Sequence, residues 1–303
     1  MDINGVIVID KPGGITSHDV VSRVRRLLGE RSVGHLGTLD PMATGVLPLV
    51  LGRMTRLAQF YTGSNKAYEG EIRFGFATST YDAESEPIAA DNARDPASLT
   101  LEELREAAGK FRGKILQTPP PFSAKKIQGV PAYKLARKKQ DVLLQAVEVE
   151  VPEFDILSYE GDRATFRAKV SSGTYVRSIA HDLGQALGTG AHLTALRRTQ
   201  VAEFALEDAH TLEQLEAAMA HPTELLVHPR RILLSMPGVT ASAEAIALLR
   251  NGRAVNLPEM SDAPLVKVFA DQSLLLAVCQ RIAGTLFQPK VVLFGSNEPM
   301  PVR

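Results

Sequence analysis

Apolar residues along this chain follow several spacings, and each spacing predicts a different element. Gly5 to Asp10 reads Gly-Val-Ile-Val-Ile-Asp before Lys11-Pro12-Gly13-Gly14 stops it, which predicts a buried strand. Val20, Val21, Val24, Leu27 and Leu28 fall on the inner side of a helix, with Ser17 as its N-cap. From Tyr68 the alternation is strict: Tyr68, Gly70, Ile72, Phe74 and Phe76 share one face, and Glu69, Glu71 and Arg73 the other. That pattern predicts a half-buried strand with Tyr68 at its edge. Asp82 to Ala97 is acidic and turn-rich, hence a loop. Thr100-Leu101-Glu102-Glu103 then has capping-box spacing and opens a helix through Leu104, Ala108 and Phe111.

Pro119-Pro120-Pro121 interrupts the pattern ahead of a segment with helical character, Ala132 to Lys139. Alternation returns at Val147, Val149 and Val151, and again at Ala164, Phe166, Ala168 and Val170, so two more strands are predicted. Ser172-Gly173-Thr174 turns the chain into Tyr175-Val176-Arg177 and a helix bearing Ile179, Leu183 and Leu187, and Ala191 to Val201 reads as a further strand. Strands interleaved with helices, without regular βαβ spacing, predict an α+β fold on a mixed sheet. The character shifts around Ser235-Met236-Pro237-Gly238. Residues 1–235 form one expected domain. Residues 236–303 form a small β-rich one, with a helix from Ala243 to Leu249 and strand-like runs at Leu265 to Phe269, Leu274 to Cys279 and Val291 to Phe294. That second unit is close to the lower size limit for independent stability.

Composition narrows the class. With 303 residues, 45% hydrophobic and 22% charged, the chain is a folded protein rather than a disordered one. Met1 to Gly5 offers no basic segment ahead of an apolar core, so no secretory leader is expected, and the longest apolar runs are too short to span a bilayer. The single cysteine, Cys279, excludes an intramolecular disulfide and a Cys-rich metal site, and its apolar run points to core packing. A cytoplasmic enzyme is the simplest reading.

The formal net charge of zero conceals segregation. Arg23, Arg25, Arg26, Arg31, Arg53 and Arg56 bracket one loop, and Lys125, Lys126, Lys134, Arg137, Lys138 and Lys139 form a second basic block, while acids collect between Asp82 and Glu106. A solvated helix face explains one such cluster; two of them point as much to a phosphate-binding surface.

The bracketed loop, Gly34 to Gly45, holds the main chemical candidate, Asp40, between Leu39 and Pro41 and ahead of an apolar run, Val46 to Leu51. A carboxylate on a Gly-framed loop against an apolar wall suits a nucleophile or an acid/base; an aspartate capping a turn before proline has the same pattern. Seven scattered histidines without HExxH or His/Cys pairing argue against a catalytic metal. GxxxxGK[ST], GxGxxG after a strand and GxSxG are all missing, which disfavours nucleotide, dinucleotide and serine-hydrolase chemistry. A glycosidase needs a second carboxylate about 5 to 9 Å away, for which Asp19 and Asp82 are conceivable. Elimination leaves chemistry that a single aspartate runs without a cofactor.

Several ordered motifs bear a family resemblance. Asp10-Lys11-Pro12-Gly13-Gly14-Ile15-Thr16-Ser17-His18-Asp19 resembles the DKPxGxTSHD opening of the TruB family of tRNA pseudouridine synthases, and Gly34 to Pro41 its GHxGTLDP element. Lys66-Ala67-Tyr68 is similar to KxY; Thr78, Thr80 and Asp82 to TxTxD; Pro120 to Lys125 to PPxYSAxK; Gly173 to Arg177 to GTYxR; and Leu196 to Thr199 to LRR(T). Phe122 stands where many members have Tyr, and Ser85 replaces a common Gly.

The resemblance implies a mixed, largely antiparallel sheet of the pseudouridine synthase type with flanking helices, plus a PUA-like C-terminal domain. It implies a monomeric, cofactor-free and metal-free enzyme that isomerises uridine 55 in the T-loop of tRNA. Asp40 would act at the ribose, either attacking or setting off elimination. Tyr68 would stack on the flipped uracil and handle the C5 proton, and Arg177 would pair with Asp40, holding it ionised and oriented. Tyr175 and Leu196 would pack around the pocket, and His35 would contact RNA near the space the base vacates. Lys11, His18, Lys125, Lys126 and Arg137 would join the RNA contacts. The competing readings are a non-catalytic RNA-binding or RNA-folding protein on the same scaffold, a guide-dependent dyskerin-type synthase, and a single-Asp hydrolase.

Overall fold

The apolar run near the N-terminus forms strand β1, Gly5–Lys11, whose side chains divide between two cores: Ile7 and Ile9 enter one, Val6 and Val8 the other. A strand covered on both faces loses polar alternation, which explains the uninterrupted pattern. The structure, a computed structural model, describes residues 3–88, 93–123, 125–127, 129–132, 135 and 144–294.

β1 pairs antiparallel with β3, Thr44–Leu51, which also takes the short β2, Val33–His35, antiparallel. β3 runs parallel to the strand Ala191–Val201, whose other neighbour is the antiparallel β4, Lys66–Phe74. Arg163–Val170 and Glu153–Glu160 continue the sheet, and Ala209–His210 closes the opposite edge parallel to β1. The sheet is therefore mixed and largely antiparallel, as expected. One face packs on α1, Ser17–Leu28, on α2, Leu101–Gly109, and on the helix Val176–Ala186, through Val20, Val24, Leu104, Ala108, Ile179 and Leu183.

The opposite face is covered by a five-stranded sheet built from Gly238–Thr240, Val255–Asn256, Leu265–Phe269, Leu275–Ala283 and Leu286–Val292. Phe269, Leu275, Val278, Val291 and Leu293 share a core with Val6, Val8, Val46 and Met54. A unit this small gains stability by burying apolar surface against its neighbour.

Four local features differ from expectation. The N-cap of α1 is Thr16, not Ser17: Asp19 N donates to Thr16 Oγ1 at 3.1 Å, and Thr16 N donates to the Asp19 carboxylate at 2.8 Å. β3 carries Pro48, whose missing N–H argues against a strand interior; here Pro48 O accepts from Leu36 N at 3.0 Å. Gly52–Tyr61 winds as a 3-10 helix that no spacing predicts. The acidic loop holds a short pairing of Ala77–Thr78 with Pro87–Ile88. The segment Ala132 to Lys139 lies largely outside the described residues.

Close approach of β4 to its neighbour depends on Gly70. A Cβ there would lie 2.5 Å from Ala195 O and 2.7 Å from Phe166 Cζ. Gly70→Ala is expected to cost about 1–3 kcal/mol. Thermal unfolding reads this as a lowered Tm, and an unchanged Tm would contradict the packing described.

Candidate active site

Asp40 lies on the link between β2 and β3, and that link is fastened from two sides. From the α1 side, Ser17 Oγ donates to Leu39 O at 3.0 Å and accepts from Leu39 N at 2.8 Å, and Gly14 N donates to Pro41 O at 2.9 Å. Lys11 is fully buried, and its ammonium donates to Pro12 O, Ile15 O and Pro41 O at 2.8, 2.6 and 3.1 Å. From the sheet side, buried Arg198 donates to Gly37 O, Thr38 O and Val46 O at 2.9, 3.2 and 2.8 Å.

Arg177 meets the carboxylate in a two-pronged pair: Nε lies 2.8 Å from Oδ2, and Nη2 donates to Oδ1 at 3.2 Å. The third guanidinium nitrogen, Nη1, donates to Thr80 O at 2.8 Å and to Asp82 Oδ2 at 3.2 Å, and Nη2 also reaches Phe122 O at 3.2 Å. The guanidinium is 6% exposed and the Asp40 side chain 34%, so the carboxylate keeps one open side. Desolvation raises the Asp40 pKa above the ordinary aspartate value; Arg177 opposes the rise without cancelling it, and nearby Asp82 adds to it. Arg177 thus orients Asp40 and favours its ionised form, while burial acts in the opposite direction.

The open side faces a cavity of about 270 Å³ lined by Asp40, Tyr68, Tyr175, Arg177, Leu196, Arg198, Lys66, Phe122 and the turn Ser171 to Thr174. Tyr68 is 8% exposed and stands directly across the ladder from Arg198; Leu196 stands across from Gly70. Tyr175 is fixed at the helix entrance by Gln117, whose amide exchanges hydrogen bonds with the Tyr175 backbone at 2.8 and 3.0 Å. An apolar and aromatic wall, a carboxylate and a buried arginine in one cavity suit a planar, polar ring held against a reacting acid.

His35 is half-buried at the end of β2 and lines a neighbouring cavity with Gly37, Tyr61, Lys66 and Ser172. Burial, with Arg198 and His18 nearby, pushes its pKa down. His18 is exposed on the first turn of α1 and does not line the main cavity. Lys125 is exposed, Lys126 contributes backbone to a hairpin with Val130–Pro131, and Arg137 lies outside the described residues. Lys11 is placed otherwise than a surface cation: its side chain is fully buried, and its ammonium, bonded to three carbonyls, anchors the loop. The arginine cluster is likewise partly committed, since Arg23 pairs with Glu216 at 2.7 Å and Arg56 donates to Val292 O at 2.6 Å.

Lys66, Arg198 and Asp82 were named only as motif members or as a spare carboxylate, yet they belong to the site. Strand register carries the missing signal: alternation that turns Tyr68 inward turns its cross-strand partner Arg198 inward too. Ser85 has its own role, accepting from Thr80 N at 3.1 Å beside Asp82. Lys11→Met is expected to lower stability by about 2–3 kcal/mol, leaving Pro12 O and Ile15 O short of this partner while Pro41 O keeps Gly14 N, and the salt dependence of RNA binding is expected to stay unchanged. A flatter salt slope would restore Lys11 to the RNA surface.

Among the described residues, no helix is long and apolar enough to cross a membrane, and no group of three or more His, Cys, Asp or Glu is placed to hold a metal ion. Residues 25–176 match the family model for the TruB family pseudouridylate synthase N-terminal domain, and residues 177–236 that for the tRNA pseudouridylate synthase B C-terminal domain. The tRNA pseudouridine synthase B of Solibacter usitatus is 49% identical over 296 residues, covering 96% of this chain and 100% of its own. That of Aquifex aeolicus is 37% identical over 293 residues, covering 96% and 100%. Among solved structures, a chain of a Cbf5-Nop10-Gar1 complex is similar at a TM-score of 0.71 and 25% identity, over 97% of this chain and 86% of that one.

Proposed function

The chain belongs to the TruB family of pseudouridylate synthases, and from that membership we propose that it isomerises uridine 55 in the T-loop of tRNA. It is a tRNA pseudouridine synthase of the bacterial stand-alone type, given relatives of that name at 37–49% identity over nearly the whole chain. The observation that carries the assignment of the chemistry is the Arg177–Asp40 pair at the open cavity opposite Tyr68.

Isomerisation breaks N1–C1′, turns the uracil and joins C5 to C1′, releasing the C5 proton to solvent while N1 gains one. Water and redox equivalents are not consumed. The target base must first leave its stack, at a cost of a few kcal/mol that binding offsets. Asp40 acts at the ribose, by attack or by triggering elimination; Arg177 holds it in place. Tyr68 stacks on the uracil and relays the C5 proton, with Tyr175 and Leu196 shaping the walls. His35, His18 and Lys125, with Lys126 and Arg137, contact the folded loop around the flipped base. Residues 1–235 act as the catalytic domain and residues 236–303 as a PUA-like RNA-binding unit, a reading supported by its five-stranded sheet. The enzyme works as a cytoplasmic monomer.

The test is tritium release from a T-arm hairpin labelled with [5-³H]uridine, without guide RNA or partner protein. Stoichiometric release with pseudouridine at position 55 is expected. Tight binding without release would favour a purely RNA-binding protein, and release only with an added guide would favour the dyskerin-type alternative.

A further inference from the structure

One helix face sends two side chains onto a single three-residue segment, Thr80 to Asp82. Arg177 and His181 are four apart in the helix Val176–Ala186, hence one turn apart on one face. Arg177 takes Thr80 O and the Asp82 carboxylate as acceptors. Between them, the Tyr81 ring stacks on the His181 imidazole, with centroids 3.8 Å apart and planes within 12°.

Tyr81 also has φ +65°, one of three residues other than glycine with positive φ among the described residues. That conformation is strained for a residue with a side chain and persists only where the surroundings hold it. Hydrogen bonds hold the flanking backbone: Leu193 N donates to Tyr81 O at 3.0 Å, and Thr78 Oγ1 donates to Asp82 O at 2.7 Å. The stack holds the side chain itself. The His181 ring is not fixed through Nδ1, which is buried without a hydrogen-bond partner among the described residues.

We propose that the His181–Tyr81 stack is a positioning device for the reaction, keeping Tyr81 in its left-handed conformation so that Thr80 and Asp82 present their oxygens to Arg177. The inference rests on the reading of Asp40 as the reacting carboxylate. If Tyr81 relaxes to negative φ, the peptide units on both sides rotate. Arg177 Nη1 then loses its acceptors, and the fork that orients Asp40 through Nε and Nη2 is free to tilt. His181 touches no substrate in this account; it acts through Tyr81 and Arg177.

Tritium release measured on the T-arm hairpin for His181→Ala, His181→Phe, Tyr81→Ala and Tyr81→Gly tests this. His181→Ala is expected to lower kcat at least about tenfold with KM within about twofold, because a small misplacement of a reacting group is costly. His181→Phe keeps a flat aromatic ring and is expected to restore kcat to within about threefold of wild type. Tyr81→Gly is expected to be more active than Tyr81→Ala, since glycine takes positive φ without strain; simple loss of packing predicts no such order. Unchanged kcat in His181→Ala, or equal activity of the two Tyr81 variants, would overturn the inference. If His181→Ala does not fold, the Tyr81 pair decides. An inactive wild type would instead strike the underlying functional reading, so the two failures are distinguishable.

Discussion

Arg177→Met is expected to lower kcat at least about a hundredfold and to move the rising limb of the pH–rate profile to higher pH. The side chain is buried and ties together Asp40, Asp82, Thr80 O and Phe122 O. Methionine fills much of the volume but leaves two carboxylates facing each other without a cation between them. Of the charged groups around Asp40, Arg177 and Lys11 favour its ionised form, whereas Asp82 disfavours it, and Glu84 lies close enough to interact with it. Burial already holds its pKa above the ordinary value. With the carboxylate as the active form in the proposed mechanism, activity is expected to rise with pH through that pKa, and removing the arginine to push the pKa further up. Stability falls as well, by about 3 kcal/mol, at the lower end for breaking a buried pair because Asp40 keeps an open side. Arg177→Lys keeps a charge without the fork and is expected to recover the pH limb better than kcat. A limb that stays in place in Arg177→Met would mean that Arg177 does not set the charge state of Asp40.

Patterning revealed the strands whose two faces differ. Tyr68 to Phe74 and Ala164 to Val170 alternate because one face meets the core, and the structure has strands at both places and at Ala191–Val201. The last strand was readable to its ends. Less legible was any element whose character depends on a distant partner. β3 contains Pro48, and its pairing with β1 and Ala191–Val201 outweighs that local signal. Ser17 has the chemistry of an N-cap, but Leu39, 22 residues on, takes its hydroxyl, and Thr16 caps instead.

The same distinction runs through the site. Asp40, Tyr68 and Arg177 come from three separate segments, and the motif resemblance named all three before the sheet brought them to one cavity. Lys11 entered as an RNA contact through the motif resemblance; only the fold reveals three carbonyls converging on its ammonium. Asp82 sits in a stretch that reads as acidic loop, yet it is 1% exposed and paired with Arg177. A buried charge is legible only once its partner is known.

Asp40→Asn is the substitution with the largest expected effect. It keeps the shape of the side chain and removes the carboxylate proposed to attack or to trigger elimination at the ribose. The loss is expected to reach at least about four orders of magnitude in kcat, which corresponds to about 5.4 kcal/mol of barrier. Folding is not the explanation for that loss. Because the Asp40 pKa is raised in the folded protein, its ionised form is penalised there at neutral pH, and a neutral amide relieves the penalty. The variant is therefore expected to melt no lower than wild type, with Arg177 still held by Asp82 and Thr80. The decisive measurement is tritium release from the [5-³H]uridine T-arm hairpin by Asp40→Asn at saturating enzyme, with hairpin affinity determined on the same preparation. Release indistinguishable from the enzyme-free control, with affinity within about threefold of wild type, is the predicted result. Release at a rate near that of wild type would contradict the assignment of Asp40 as the reacting carboxylate.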